Sequence, residues 1–165
     1  GIVGAMTVAE NVVIEEVRRP DFQRGGFLKG PAIQARAEAA IRDYDVRCPG
    51  PETRIRLLSG GNMQKLILGR VLETAPSVVL ANQPVRGLDI GALTYVHEQL
   101  LAARDRGAAV LLISEDLDEV TALSDVIHVI SEGRLSPPFA RGALSPAELG
   151  VWMAGDGFEE TTHAA

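Results

Sequence analysis

The chain has 165 residues and a net charge of −6, with 46% hydrophobic and 23% charged residues. That is the make-up of a soluble globular protein long enough for one domain with a real core. An acidic chain with only 4% aromatic residues argues against nucleic acid as the main partner, since such domains present a basic face and stacking aromatics. Cys48 is the single cysteine, so it forms no internal disulfide and fits a reducing compartment as a spectator thiol. No apolar run approaches the roughly 18 residues of a membrane span. The start, GIVGAMTVAEN, has neither a basic n-region nor an initiator methionine. It reads as lacking a signal peptide, and as a piece of a longer protein or a trimmed chain.

In chain order, Thr7 and Glu10 form a capping-box pattern, and Val8, Val12, Val13 and Val17 give one apolar helical face. Residues 18–30, RRPDFQRGGFLKG, read as a basic, glycine-containing loop. A second helix carries Ile33, Ala37, Ala40, Ile41 and Tyr44 at helical spacing, and CPGPE at 48–52 breaks the chain. A third helix runs from Ser59 to about Thr74. SVVLA at 77–81 and AAVLLIS at 108–114 read as buried strands. Between them lies a helix from about Ile90 to Arg104, with Leu93, Val96, Leu100 and Leu101 inward. DLDEVTAL predicts a short helix, DVIHVIS a third strand, and Glu132-Gly133 a turn. Ser145, Pro146 and Glu148 start a last helix, and 156–165 read as a flexible tail. The predicted fold class is α/β: helices over the first 75 residues, then strands and helices alternating as in a parallel sheet.

One stretch carries chemistry. In LLSGGNMQKLILGRVL, residues 57–72, a serine and two glycines open a helix. With Ser59 at the helix start, the N–H groups of Gly60, Gly61 and Asn62 lack helical partners and the dipole adds positive charge. Such an end can grip a phosphate. Ser-Gly-Gly alone is equally an N-cap with two flexible glycines.

The longer string LSGGNMQK resembles the ABC-transporter ATPase signature. It is most similar to the form LSGGNQQK in the second half of tandem ATPases importing simple sugars and nucleosides, with Met63 in place of glutamine. SVVLANQPVRGLD resembles the Walker B strand and D-loop of that family. LLISEDLDEV and SDVIHVISEGRL resemble the switch region and following strands, AELGVWMAG the closing segment, and GIVGAMTVAENV the segment after the Q-loop. The resemblance covers about residues 1–155.

The family pattern also marks departures. At the strand end, where it has Asp-Glu, this chain has Asn82 and Gln83. Asn carries no charge for Mg²⁺, and Gln cannot take a proton from water. At the switch position, usually His, stands Glu115, which would repel a γ-phosphate. No G-x-x-x-x-G-K-[ST] loop occurs in the sequence.

The resemblance implies a partial P-loop ABC domain with an incomplete sheet. Its expected parts are a helical signature subdomain at 1–75 and the later part of the core at 76–155. It further implies an ATPase subunit of an importer, using ATP and Mg²⁺ in the complete protein, at the cytoplasmic face of the membrane. The implied partners are the first ATPase domain of the same polypeptide, membrane permease subunits and, indirectly, a substrate-binding protein. Ser59, Gly60, Gly61, Asn62 and Gln64, with Asp89 of the D-loop and Asn82, are the expected nucleotide-site residues. Gln83 and Glu115 stand at catalytic positions without being competent. Two alternatives are a non-enzymatic regulatory or orphan ABC fragment and a DNA-linked ABC-type ATPase. The latter would be expected to carry coiled-coil, zinc or basic features that the sequence lacks.

Other residues read structurally. Asp89 also suits the N-cap of the helix from Ile90. His97 and His128 suit packed positions, His163 lies in the tail, and none forms a metal-ligand spacing with Cys48. Arg86 suits a solvated or interface position, and Trp152 and Met153 pack the last helix. Arg18, Arg19 and Arg24 suit a solvated loop, or a docking face if the resemblance holds.

Overall fold

A computed structural model describes residues 1–158. The chain divides into two compact units, Gly1–Val79 with Pro84–Val110, and Leu80–Gln83 with Leu111 onward.

In the first unit, α1 (Val8–Val13) starts where the capping box places it. Thr7 Oγ accepts the Glu10 N–H at 3.2 Å, and Glu10 returns a carboxylate to the Thr7 N–H at 2.7 Å. The helix buries Val8, Val12 and Val13 against Ala37 and Ala40 of α2 (Gly30–Asp43). Asn11, wholly buried, ties the N-terminal segment down by bonds to both the N–H and the carbonyl of Val3.

The segment read as a loop at 18–30 contains a hairpin. Strand β1 (Gln23–Arg24) pairs antiparallel with β2 (Phe27–Leu28). Gly25 and Gly26, at φ 60° and 84°, supply the left-handed pair a two-residue turn needs. Two-residue strands are too short to leave a period in the sequence.

Helix α2 ends at Tyr44, whose ring lies against α3 (Gly60–Glu73). A Cβ at Gly69 would fall 2.3 Å from that ring, so only glycine admits it there. The Tyr44 hydroxyl donates to the Glu73 carboxylate, which Arg36 also binds. Burial, with Glu73 beside it, pushes the Tyr44 phenol up to about 12.

Strands β3 (Val78–Asn82) and β4 (Ala109–Ile113) pair with each other, and α4 (Ile90–Asp105) lies between them in sequence. They run in the same direction, because the Ala109 N–H bonds Ser77 O at one end and the Gln83 N–H bonds Ile113 O at the other. The expectation that both are buried on two faces is overturned. Val79 and Ala81 are buried, but Val78 and Leu80 are 65% and 66% exposed, and Leu111 and Ile113 also face out. Among the described residues nothing covers that face, so the all-apolar run is covered on one side only.

The second unit contains α5 (Leu117–Leu123), capped by Asp116, and α6 (Pro146–Ala154), with the expected Ser145–Glu148 capping box and a left-handed Gly155 at φ 103°. The single strand expected over DVIHVIS is two short ones. Strand β5 (Val126–Ile127) pairs with β8 (Phe139–Ala140), and β6 (Ile130–Ser131) with β7 (Arg134–Leu135), both antiparallel. Buried Ser136 causes the break. Its hydroxyl takes the Val129 N–H at 2.8 Å, and its carbonyl lies 2.9 Å from His128 Nδ1. Ile127, Val129 and Leu149 form the core, packed by Phe139 and Trp152. Phe158 is buried and stacks edge-on to Trp152, with centroids 4.9 Å apart. The predicted tail, 156–165, thus contains a packed residue at Phe158, and residues 159–165 lie outside the described part.

Candidate functional site

The start of α3 is built as its sequence dictates. Ser59, extended at φ −65° and ψ 157°, is the N-cap. Its hydroxyl oxygen accepts the Asn62 N–H at 3.4 Å and its carbonyl accepts the Met63 N–H at 3.0 Å. Of the first-turn donors, the N–H groups of Gly60 and Gly61 remain without a partner among the described residues.

The two glycines do different work. Gly60 is exposed, and a Cβ there would meet only Leu88, at 3.7 Å. Gly61 is buried, and its Cβ would lie 2.7 Å from the Cβ of Ala92 in α4. Gly60 leaves the helix end open, whereas Gly61 lets α3 and α4 approach. Sequence reasoning gave both glycines the first role and missed the second, because Ala92 is 31 positions away.

Where α3 and α4 diverge, an open cleft of about 430 Å³ is lined by Ser59, Gly61, Asn62, Lys65, Asp89 and Tyr95, among others. Asp89 sits at its edge as N-cap of α4, accepting the Ala92 N–H at 2.9 Å. Lys65 crosses the cleft wall. Its ammonium bonds the Asp45 carboxylate and carbonyl and lies 4.7 Å from the Tyr95 ring centroid. The hydrogen bond from Lys65, reinforced by its charge, holds the Asp45 carboxyl below the ordinary carboxylate range. Burial, with the Asp45 charge, raises the Tyr95 phenol. Asp45, Arg47, Lys65 and Tyr95 were not singled out from sequence. Asp45 adopts φ 51° just past the end of α2, and an aspartate after a helix end was the one available signal.

The remaining expected residues fall elsewhere. Gln64 is half-buried in α3 and does not line the cleft. Asn82 ends β3 and is exposed. Gln83 follows at φ 49°, its N–H held by Ile113 O, and Glu115 is exposed just beyond β4. These three lie in the second unit, while Ser59, Gly60, Gly61, Asn62, Gln64 and Asp89 lie in the first.

The donor set at Ser59–Gly61, two unbonded N–H groups and a hydroxyl at a helix N-terminus, fits a phosphate group. At Asn82–Gln83 the side chains are neutral amides and offer a divalent metal no charge. Among the described residues no group of three or more His, Cys, Asp or Glu side chains could hold a metal ion. No helix among them is long and apolar enough to cross a membrane.

No family model matches the chain. The nucleoside import ATP-binding protein NupA of Lactococcus lactis is 39% identical over 160 residues, covering 97% of this chain and 32% of that protein. The guanosine import ATP-binding protein NupO of Bacillus subtilis is 40% identical over 164 residues, covering 99% and 32%. An ATP-binding cassette solved as a dimer with ADP and Pi matches with a TM-score of 0.65 at 20% identity, over 88% of this chain and 60% of its own. Over nearly its whole length the chain is similar to import ATP-binding proteins. A second ABC transporter cassette, in its ADP conformation, matches with a TM-score of 0.61 at 23% identity over 92% of this chain and 60% of its own. The α/β fold is therefore that of part of an ABC cassette. The chain spans about a third of the length of the curated relatives it matches.

Proposed function

We propose that this chain is part of the ATPase subunit of an ABC importer for a sugar or nucleoside, and that it supplies the signature donors to ATP held by another domain's phosphate loop. The observation that carries this reading is the start of α3: Ser59 capping, Gly60 open, and two N–H groups without partners among the described residues, in a chain that has no lysine-bearing phosphate loop. The names of the relatives, which import nucleosides, guanosine and glucose, support the substrate class.

In this reading Ser59, Gly60 and Gly61 face the γ-phosphate, and Asp89 lies at the contact between domains. Asn82, Gln83 and Glu115 belong to a second, degenerate nucleotide position, where water activation has no carboxylate base. Mg²⁺ accompanies the ATP in the competent site, where it neutralises phosphate charge. Residues 1–75 act as the helical signature segment and 76–155 as the later part of the core. The first ATPase domain, the permease subunits and a substrate-binding protein complete the importer, at the cytoplasmic face of the membrane. The exposed hairpin with Arg24, Phe27 and Leu28 is the candidate face toward the permease.

The test is uptake and ATP hydrolysis by the assembled importer. Ser59→Arg should abolish both, and Gln83→Glu should raise hydrolysis little. A wild-type rate in the Ser59 variant would overturn the reading.

A further inference from the structure

The Ser59 hydroxyl is not free to turn. Asn62 Oδ1 accepts the backbone N–H of Arg47 at 2.8 Å. A backbone N–H can only donate, so this bond fixes which end of the amide is oxygen. The other end, Nδ2, therefore faces Ser59 and donates to its Oγ at 3.0 Å. The Asn62 backbone N–H reaches the same oxygen at 3.4 Å. A serine hydroxyl has two acceptor lone pairs and one O–H. Both acceptor sites are occupied from Asn62, so the hydrogen points outward as a donor. Val46, buried beside Arg47, anchors the turn that supplies the first link.

We infer that Asn62 is a positioning residue, which locks the Ser59 hydroxyl as a hydrogen-bond donor toward a phosphate oxygen through the chain Arg47 N–H, Asn62 amide, Ser59 Oγ. This rests on the proposed role of Ser59. It gives Asn62 a task distinct from touching nucleotide: both ends of its side chain are engaged within the protein.

Asn62→Asp separates the two. The isosteric carboxylate still accepts from Arg47 but has no N–H for Ser59. The Ser59 hydroxyl then donates to that carboxylate and is lost to the phosphate. The measurement is equilibrium binding of a fluorescent Mg-ATP analogue to the assembled importer, with thermal melting as a check on folding. Ser59→Ala and Asn62→Asp should each weaken binding about tenfold, or about 1.4 kcal/mol, with a cooperative melting transition retained in both and lowered in Ser59→Ala by no more than the loss of the α3 N-cap. The double variant should be no weaker than either single one, because both remove the same donor.

If Asn62→Asp binds as wild type while Ser59→Ala is weakened, the positioning role falls and the reading of Ser59 stands. If the double variant shows the two losses added, the introduced carboxylate acts by its charge on the phosphate, and the positioning role again falls. If Ser59→Ala itself binds as wild type, the proposed function falls, and this inference with it.

Discussion

The α-carbon of Gly61 lies so close to Ala92 that a Cβ on it would sit 2.7 Å from the Ala92 Cβ. The closeness of α3 to α4 at the mouth of the cleft therefore depends on one missing methyl group. Gly61→Ala should destabilise the chain by about 1–3 kcal/mol through overpacking. Gly60→Ala should cost much less, since its Cβ meets only Leu88 at an ordinary 3.7 Å. Thermal melting of the two variants checks the contrast, and equal losses would contradict it.

Tyr44 joins α2 to α3 twice, by its ring on Gly69 and by its hydroxyl on Glu73. Tyr44→Phe keeps the first contact and should cost on the order of 1 kcal/mol for the second. The phenol is raised in the folded state to about 12, so folding favours the protonated form. That contribution is full below the unfolded value, about 10, and is lost as pH rises to about 12. Melting curves across this window should fall more steeply for wild type than for Tyr44→Phe.

The Lys65–Asp45 pair has the opposite sign. Lys65 holds the Asp45 carboxyl below its ordinary range, so the contribution is present at neutral pH and lost as pH falls through the carboxylate range. Lys65→Met should remove this acid sensitivity, together with the contact over Tyr95. Chemical denaturation of both proteins, at neutral pH and near pH 3, measures it.

The outward side chains of Leu80, Leu111 and Ile113 make an apolar sheet face. An uncovered, paired and apolar surface of this kind favours self-association. The isolated chain should associate at micromolar concentrations, and Leu80→Glu with Leu111→Lys should return it to monomer in sedimentation velocity. A monomeric wild-type chain would show that the face is tolerated in water.

Much of this was legible in the sequence, because the signals were local. Thr7–Glu10 and Ser145–Glu148 fix two helix starts by capping boxes, and Ser59 and Asp89 are the caps of α3 and α4 as their positions suggest. The signature string pointed to the family. What sequence hid is non-local. The Gly61–Ala92 contact, the Arg47–Asn62–Ser59 chain and the Lys65–Asp45 pair join residues with no shared period. The half-exposed strands misled for a physical reason: an apolar run reports a surface meant to be covered, not what covers it.

The central claim is that this chain lends donors to a nucleotide it does not itself hold. Calorimetric titration of Mg-ATP into the purified chain tests that most directly. The account predicts no binding at millimolar nucleotide. Micromolar binding by this chain alone would reveal a nucleotide site of its own and contradict it.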